Sequence, residues 1–109
     1  MTPNDRDNID SPEYSVIIGR VSTEDEDRIL ETLQALRDQQ GNIAYEVIIT
    51  DRNNDAISQT IDDSYPEVTR IAAPITTSLP IMRTLGLEHA SGKFIIVTED
   101  HCVPSLNWL

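Results

Sequence analysis

Four short runs of β-branched and aliphatic residues, separated by segments with a helical period, constrain this chain more than any other feature. The runs cover residues 14–18, 45–50, 94–98 and, more weakly, 67–72. Strands that alternate with helix-length segments are typical of β-α-β units, in which right-handed crossovers join parallel strands. The pattern predicts an α/β fold with an open, mainly parallel four-stranded sheet and helices on both of its faces.

Each predicted helix begins at a side chain that can accept a hydrogen bond from a free backbone N–H. Acidic residues 24–27 would form the first turn of the first helix, where the helix dipole favours negative charge. Gly41 and Gly92 are predicted to end the first and third helices, and the second stops before Pro66. The candidate caps are Ser22 or Thr23, Asn54 or Asp55, and Ser78, with Pro80 in the first turn that follows Ser78.

Apolar residues indicate what each element buries. The run at 94–98, which is the fourth predicted strand along the chain, is apolar almost throughout, as expected of a central parallel strand that is covered on both faces. The helices place apolar side chains at helical spacing along one face. Those residues are Ile29, Leu30, Leu33 and Leu36 in the first helix, Ile57 and Ile61 in the second, and Ile81, Met82, Leu85 and Leu87 in the third.

The charge balance excludes several classes of function. The 109 residues include 19 acidic and 8 basic side chains, for a net charge of −11. Binding to nucleic acid or to an anionic membrane needs a positive face, so both are excluded as the main role. No apolar run approaches the roughly 18 residues of a transmembrane segment, and the lone Cys102 forms no intramolecular disulfide. These features predict a cytoplasmic protein, with residues 1–12 as a mobile acidic leader and residues 13–109 as one domain.

The residues that follow the strands are the candidates for chemistry, because ligands of open parallel sheets bind outside the carboxyl ends of the strands. Seven of the eight basic residues are arginines, which suit planar contacts with oxyanions. The candidates at this edge are Gly19 and Arg20 after the first strand, Asp51 and Arg52 after the second, Glu99, Asp100 and His101 after the fourth, and Arg83 in the third helix. Salt-bridged arginines and a turn-forming Asp51 are the alternative interpretation.

A divalent cation is the second predicted ligand of this edge. Alternate residues of an extended segment point the same way, so Glu99 and His101 face one ion while Asp100 turns elsewhere or contacts a ribose hydroxyl. Two or three ligands leave most coordination positions open, which suits a metal that arrives with a phosphate-bearing substrate. The alternative is a solvated acidic turn. The four glycines are far apart, so a glycine-rich phosphate loop is excluded.

Four blocks, taken in order, resemble the opening half of family-two glycosyltransferases with the GT-A fold. The blocks are YSVII at 14–18, YEVIITD at 45–51, MRTLGLEHASGKFIIV at 82–97, and EDHCVP at 99–104 followed by Trp108 and Leu109. The resemblance implies a Rossmann-like sheet with the strand order 3-2-1-4. It also implies a nucleotide-diphosphate-sugar site with Mn²⁺ or Mg²⁺ and transfer of the sugar with inversion.

The resemblance also implies roles for single residues. His101 takes the metal position of the family's Asp-x-Asp motif, and Glu99 or Asp100 contacts the ribose or a metal-bound water. Arg83 lies near the diphosphate, and Asp51 helps to bind the base or ribose. The chain departs from the family pattern at three places. Gly19-Arg20 stands where the family usually has Pro-Thr or a similar small pair, and Arg52 stands where it has a carboxylate. The motif at 99–101 is Glu-x-His in place of Asp-x-Asp. A His ligand shifts the preference toward Mn²⁺.

Two hypotheses follow for function. In the first, the chain is the donor-binding half of a GT-A glycosyltransferase. The acceptor-binding half and the catalytic base of the family are expected beyond residue 109, so no catalytic residue is assigned here. In the second, the chain is a non-catalytic α/β module that acts by self-association or by docking to a partner. Apolar surface beside the last strand would then make a homo-oligomer.

Overall fold

The computed structural model describes residues 12–22, 27–39 and 44–100. The strands are β1 (Tyr14–Arg20), β2 (Tyr45–Asp51), β3 (Thr69–Ala72) and β4 (Phe94–Glu99), and the helices are α1 (Ile29–Arg37), α2 (Ala56–Ser64) and α3 (Leu79–His89). All neighbouring strands in the sheet are parallel, and their order is β3-β2-β1-β4, which confirms the predicted fold class.

The helices cover both faces of the sheet, as predicted. On one face, Val16 and Ile18 of β1 join Val47 and Ile49 of β2 in a core with apolar side chains of α1 and α2. On the other face, α3 packs over β1 and β2. Within the part of the chain that the structure describes, no helix is long and apolar enough to cross a membrane.

The first helix begins later than the sequence predicts. Its N-cap is Arg28, and Asp27 lies before the helix, where its carboxylate accepts a hydrogen bond from the N–H of Ile29. Ser22 lies too far before the helix to cap it, and its hydroxyl donates to Asp100. The prediction that the first turn includes Asp27 is therefore wrong. Residues 23–26 and Gly41 lie outside the described residues.

The other helix ends agree better with the prediction. Asp55 caps α2 in a capping box with Ser58, and the helix ends before Pro66. Ser78 occupies the N-cap position of α3 without a side-chain hydrogen bond, and a proline follows in the first turn. Gly92 does not end α3, since Ala90 is its C-cap. A Cβ on Gly92 would lie 2.7 Å from the backbone of β1, so this position needs glycine for close approach.

The apolar strand β4 is exposed, against the prediction that it is covered on both faces. Among the described strands it pairs only with β1, and Phe94, Ile95 and Val97 are 55%, 43% and 46% exposed. The helix α3 contacts β1 and β2 and buries Met82, while Ile81 and Leu87 are exposed. In the part of the chain that the structure describes, no helix covers these apolar side chains of β4.

Candidate functional site

The loops that follow the four strands are tied together at one end of the sheet, which we call the carboxyl edge. The register pairs Arg20 with Asp51 and Gly19 with Glu99, so β1, β2 and β4 end at a common level. Hydrogen bonds then join the loops: the Asn53 side chain donates to the carbonyl of Ser22, 3.2 Å away. The Arg52 guanidinium donates to the carbonyl of Thr77 at 2.8 Å. The segments that follow β1, β2 and β3 are therefore in contact with one another at this edge.

Arg20 is buried at the centre of this edge. Its Nη2 lies 2.6 Å from an Asp27 oxygen, and its Nη1 lies 3.2 Å from both oxygens of Asp51. The same guanidinium donates to Asp55 at 3.0 and 3.1 Å and to the Ser58 hydroxyl at 3.1 Å. We call these five residues the arginine cluster. The other four residues occupy all the N–H donors of the guanidinium. Arg20 therefore does not face solvent, where a phosphate could bind it directly.

Electrostatics favour the charged forms of Arg20 and Asp55. Burial by itself would lower the pKa of Arg20, but hydrogen bonds to Asp55 and Asp27 and the charge of Asp51 outweigh it and raise that pKa above its ordinary value. The hydrogen bond from Arg20 likewise holds the pKa of Asp55 below its ordinary value. A buried ion pair is tolerated when its donors and acceptors are satisfied in this way.

Asp51 points inward from the end of β2 and shapes the loop that follows. Its carboxylate accepts hydrogen bonds from the backbone N–H of Asn53 at 2.9 Å and from the Ser58 hydroxyl at 2.5 Å. Arg70 adds a longer contact at 3.5 Å. The side chain is fully buried, so the structure places Asp51 beneath the loop rather than on its surface.

Two arginines at the carboxyl edge have no carboxylate partner in the described residues. Arg20, Arg28, Arg37 and Arg70 all form ion pairs, whereas no ion pair reaches Arg52 or Arg83 in this part of the chain. Arg83 follows Met82, whose carbonyl accepts the Thr50 hydroxyl at the end of β2. Guanidinium groups without a carboxylate partner are the chemical type that suits an oxyanion, and the net charge of this chain is −11.

Gly19 lies inside β1 rather than after it. A Cβ at this position would come within 2.5 Å of the Leu79 side chain and 4.0 Å of that of Met82. The absence of a side chain lets the first turn of α3 approach the end of β1. That approach brings the backbone around Met82, and with it the start of the Arg83 side chain one turn into α3, close to the ends of β1 and β2.

Asp100 turns inward at the end of β4. Its carboxylate accepts hydrogen bonds from the backbone N–H groups of Val21 and Ser22, at 2.7 and 2.8 Å, and the side chain is buried. Glu99, the residue before it, is exposed. Within residues 12–22, 27–39 and 44–100, no group of three or more His, Cys, Asp or Glu side chains is arranged to hold a metal ion. His101, the other predicted metal ligand, lies outside these ranges.

Comparison with known families identifies the chain. Residues 15–109 match the model of glycosyl transferase family 2. The chain belongs to this family. No relative among curated protein sequences matches it.

Solved structures share the fold of this family 2 domain. Staphylococcus aureus TarS, residues 1–349, superposes with a TM-score of 0.68 at 20% identity over 86% of this chain and 29% of that one. The same protein in complex with UDP gives a TM-score of 0.68 at 20% identity, over 87% of this chain and 29% of that one. The mannosyltransferase PcManGT from Pyrobaculum calidifontis, in complex with GDP-Man and Mn²⁺, gives 0.65 at 17% identity, over 86% and 29%. The chain thus spans less than a third of the length of these proteins.

Sequence reasoning missed three members of the arginine cluster in this family 2 chain. Asp55 and Ser58 carry a visible signal, since an acidic residue three positions before a serine is typical of a capped helix start. The signal indicates a cap and not a contact with Arg20. Asp27 has no such signal, because its approach to Arg20 depends on where α1 begins.

Proposed function

We propose that this chain binds a nucleotide-diphosphate sugar at its carboxyl edge, as the donor-binding part of a family 2 glycosyltransferase. The observation that carries the proposal is the pair Arg52 and Arg83, which lack carboxylate partners among the described residues of a strongly acidic chain. Structural neighbours in complex with UDP, UDP-GlcNAc and GDP-Man support it. Because the chain matches only 29% of the first of them, the proposal covers donor binding alone.

The proposed roles divide the edge into residues that touch the donor and residues that shape it. Arg83 and Arg52 would offset the negative charge of the diphosphate, which grows when the sugar leaves and is the usual target of electrostatic stabilisation. Asp51 and Asp100 would hold the surrounding loops, since their carboxylates already accept backbone N–H groups. Gly19 would admit the first turn of α3.

A divalent metal is proposed at the end of β4, held by Glu99 and His101. The carboxylate of Asp100 is directed into the protein, so among the residues of the predicted motif Glu99 and His101 are the ones proposed to hold the ion. Two protein ligands suit a metal ion whose other coordination positions are filled by phosphate and water. The bound metal would supply charge neutralisation for the diphosphate, and a carboxylate-imidazole pair favours Mn²⁺ over Mg²⁺.

Calorimetric titration tests the proposal directly. We expect UDP or GDP to bind, and we expect Mn²⁺ to tighten that binding more than Mg²⁺ does. His101→Ala should remove the effect of the metal while leaving weaker binding of the nucleotide alone. Absence of heat at millimolar nucleotide, with and without Mn²⁺, would refute the proposal.

Charge-removal variants separate the two arginines from the general charge of the chain. Arg83→Gln and Arg52→Gln should each weaken binding by about tenfold or more, since a charged hydrogen bond contributes roughly 1.5–3 kcal/mol. Lys93→Gln is the matched control, because it removes one positive charge at the start of β4, at the opposite end of the sheet. Equal losses in all three variants would show that only net charge matters.

Self-association is a second candidate, favoured by the exposed apolar side chains of β4. Phe94, Ile95 and Val97 expose about half of their side chains on a strand whose outer edge has no partner among the described strands. Such edges pair readily with another chain. A stable oligomer that shows no response to nucleotide would favour this role over donor binding.

A further inference from the structure

The arginine cluster links segments that are far apart in the sequence. Asp27 precedes α1, Asp51 ends β2, and Asp55 begins α2, and each of them bonds to the one guanidinium of Arg20. The Arg20 side chain is fully buried, and so is that of Asp51. The contact geometry uses all three guanidinium nitrogens. One side chain therefore determines the relative position of two loops at the carboxyl edge.

The loop most affected is the segment 51–55. Asp51 holds this segment from below, through the N–H of Asn53 at 2.9 Å and that of Asn54 at 3.4 Å. Arg52 lies between Asp51 and these amides, and its guanidinium reaches the carbonyl of Thr77. A shift of Asp51 would therefore move the backbone that carries Arg52.

We propose that Arg20 is a positioning residue that fixes the 51–55 loop and so orients Arg52 at the carboxyl edge. The part that concerns a ligand rests on the proposed function, whereas the part that concerns the loop does not. Without Arg20, the carboxylates of Asp27, Asp51 and Asp55 would repel one another. They would separate or take up water, and the loop would lose its fixed position.

Lysine cannot replace arginine in this role. A guanidinium has five N–H donors in a rigid plane, while an ammonium group has three donors on one nitrogen. Lysine at position 20 would keep the positive charge but could not contact Asp27, Asp51 and Asp55 in the present geometry. Arg20→Lys is therefore a test of geometry at constant charge.

Hydrogen exchange measured by NMR tests the loop directly. In Arg20→Lys, we expect the amides of Asn53 and Asn54 to exchange at least about tenfold faster than in the parent protein. The amides of Ser91 and Gly92, bonded to Glu46 and Ser15 at the opposite end of the sheet, are internal controls and should be unchanged. Unchanged exchange at Asn53 and Asn54, in a folded variant, would overturn the proposal.

Titration with UDP and Mn²⁺ tests the consequence for the ligand. Arg20→Lys should bind at least about fivefold more weakly at a temperature where the variant is fully folded. Arg37→Lys is the control, because Arg37 pairs with Glu67 and stacks on Tyr65 away from this edge. It should lower thermal stability without changing affinity. Equal affinity in Arg20→Lys and the parent would overturn the link to the ligand.

The outcomes separate this proposal from the proposed function. If the parent protein binds no nucleotide, the proposed function fails, yet the exchange of Asn53 and Asn54 still decides whether Arg20 fixes the loop. If Arg20→Lys does not fold, Asp55→Asn serves instead, since asparagine keeps a helix cap and removes one charge from the cluster. Faster exchange of the same two amides supports the proposal, and unchanged exchange contradicts it.

Discussion

Glu46 clamps the amino ends of the strands by hydrogen bonds from three groups. Its carboxylate accepts from the Ser15 hydroxyl at 2.5 Å and from the N–H and hydroxyl of Ser91 at 2.7 and 3.0 Å. Ser15 in turn accepts the N–H of Gly92 at 2.8 Å. Burial alone would raise the pKa of Glu46, but these hydrogen bonds outweigh it and lower the pKa below its ordinary value of 4.5. A single carboxylate thus joins β1, β2 and the turn before β4.

The lowered pKa of Glu46 predicts a loss of stability in acid. A carboxyl whose pKa is lower in the folded than in the unfolded state stabilises the fold above the unfolded value. That stabilisation disappears as the pH falls below about 4.5 and through the folded pKa. Glu46→Gln should lower the free energy of unfolding by about 1 kcal/mol at neutral pH and flatten its decline in acid. Denaturant melts across this range measure both effects.

Glu88→Gln is the control for that experiment. Glu88 is an exposed residue of α3, and the substitution removes the same charge. The variant should keep the full acid dependence of the parent protein. If Glu46→Gln and the parent lose stability in parallel between neutral pH and pH 3, the clamp does not depend on the charge of Glu46.

At the scale of elements, the packing of α3 on the sheet depends on a missing side chain. Gly86 faces β1, and a Cβ at this position would lie 2.6 Å from Cγ2 of Ile17. The contact is too short for two carbon atoms, so the helix and the strand approach as closely as glycine permits. The same helix carries Arg83 one turn earlier, and this packing therefore sets the height of Arg83 above the sheet.

Gly86→Ala should destabilise the protein, although alanine is the better helix former. Helix propensity favours alanine by about 1 kcal/mol, while forcing an extra carbon into a packed core costs about 1–3 kcal/mol. We expect a net loss on the order of 1 kcal/mol in thermal or denaturant melts. Glu88→Ala, at an exposed position of α3, should change stability by less than about 0.5 kcal/mol. A gain of stability in Gly86→Ala would show that α3 can move away from β1.

At the scale of the whole molecule, an apolar edge and a large net charge act against each other. The outer edge of β4 exposes Phe94, Ile95 and Val97, while a net charge of −11 repels a second copy. Salt screens repulsion between surface charges and leaves the burial of apolar surface almost unaffected. The balance between the two determines whether the chain self-associates.

The molecular mass measured by light scattering should therefore rise with salt and with protein concentration. Val97→Lys places a charge on the outer strand and should shift the population back toward the monomer. Ile75→Lys is the matched control, since Ile75 is 65% exposed but lies in the loop before α3. Equal effects of the two substitutions would show that net charge, and not the β4 edge, governs association.

Much of the fold could be predicted from local patterns, and most of the site could not. The strands β1, β2 and β4 each contain an uninterrupted apolar stretch, at 16–18, 47–49 and 94–97, and Asp55 caps α2 as its neighbourhood predicts. The predicted start of α1 is wrong, and the residues before the helix have distant partners: Asp27 bonds to Arg20, and Ser22 bonds to Asp100, a residue 78 positions away. No local pattern reveals a competing partner at that distance. The site residues themselves remain predictions that the binding experiments test.

Apolar spacing and the topology of β-α-β units are enough to predict the class of fold, the parallel direction of the strands, and which residues stand near their carboxyl ends. The strand order 3-2-1-4 comes from the family resemblance. Which of the residues near the carboxyl ends face inward depends on contacts between distant segments, and the fold alone reveals them. Arg20, Asp51 and Asp100 look like ligands in the sequence, yet they are buried among their own partners. A buried charged side chain needs an opposite charge beside it, and the tertiary contacts decide which residue supplies that charge.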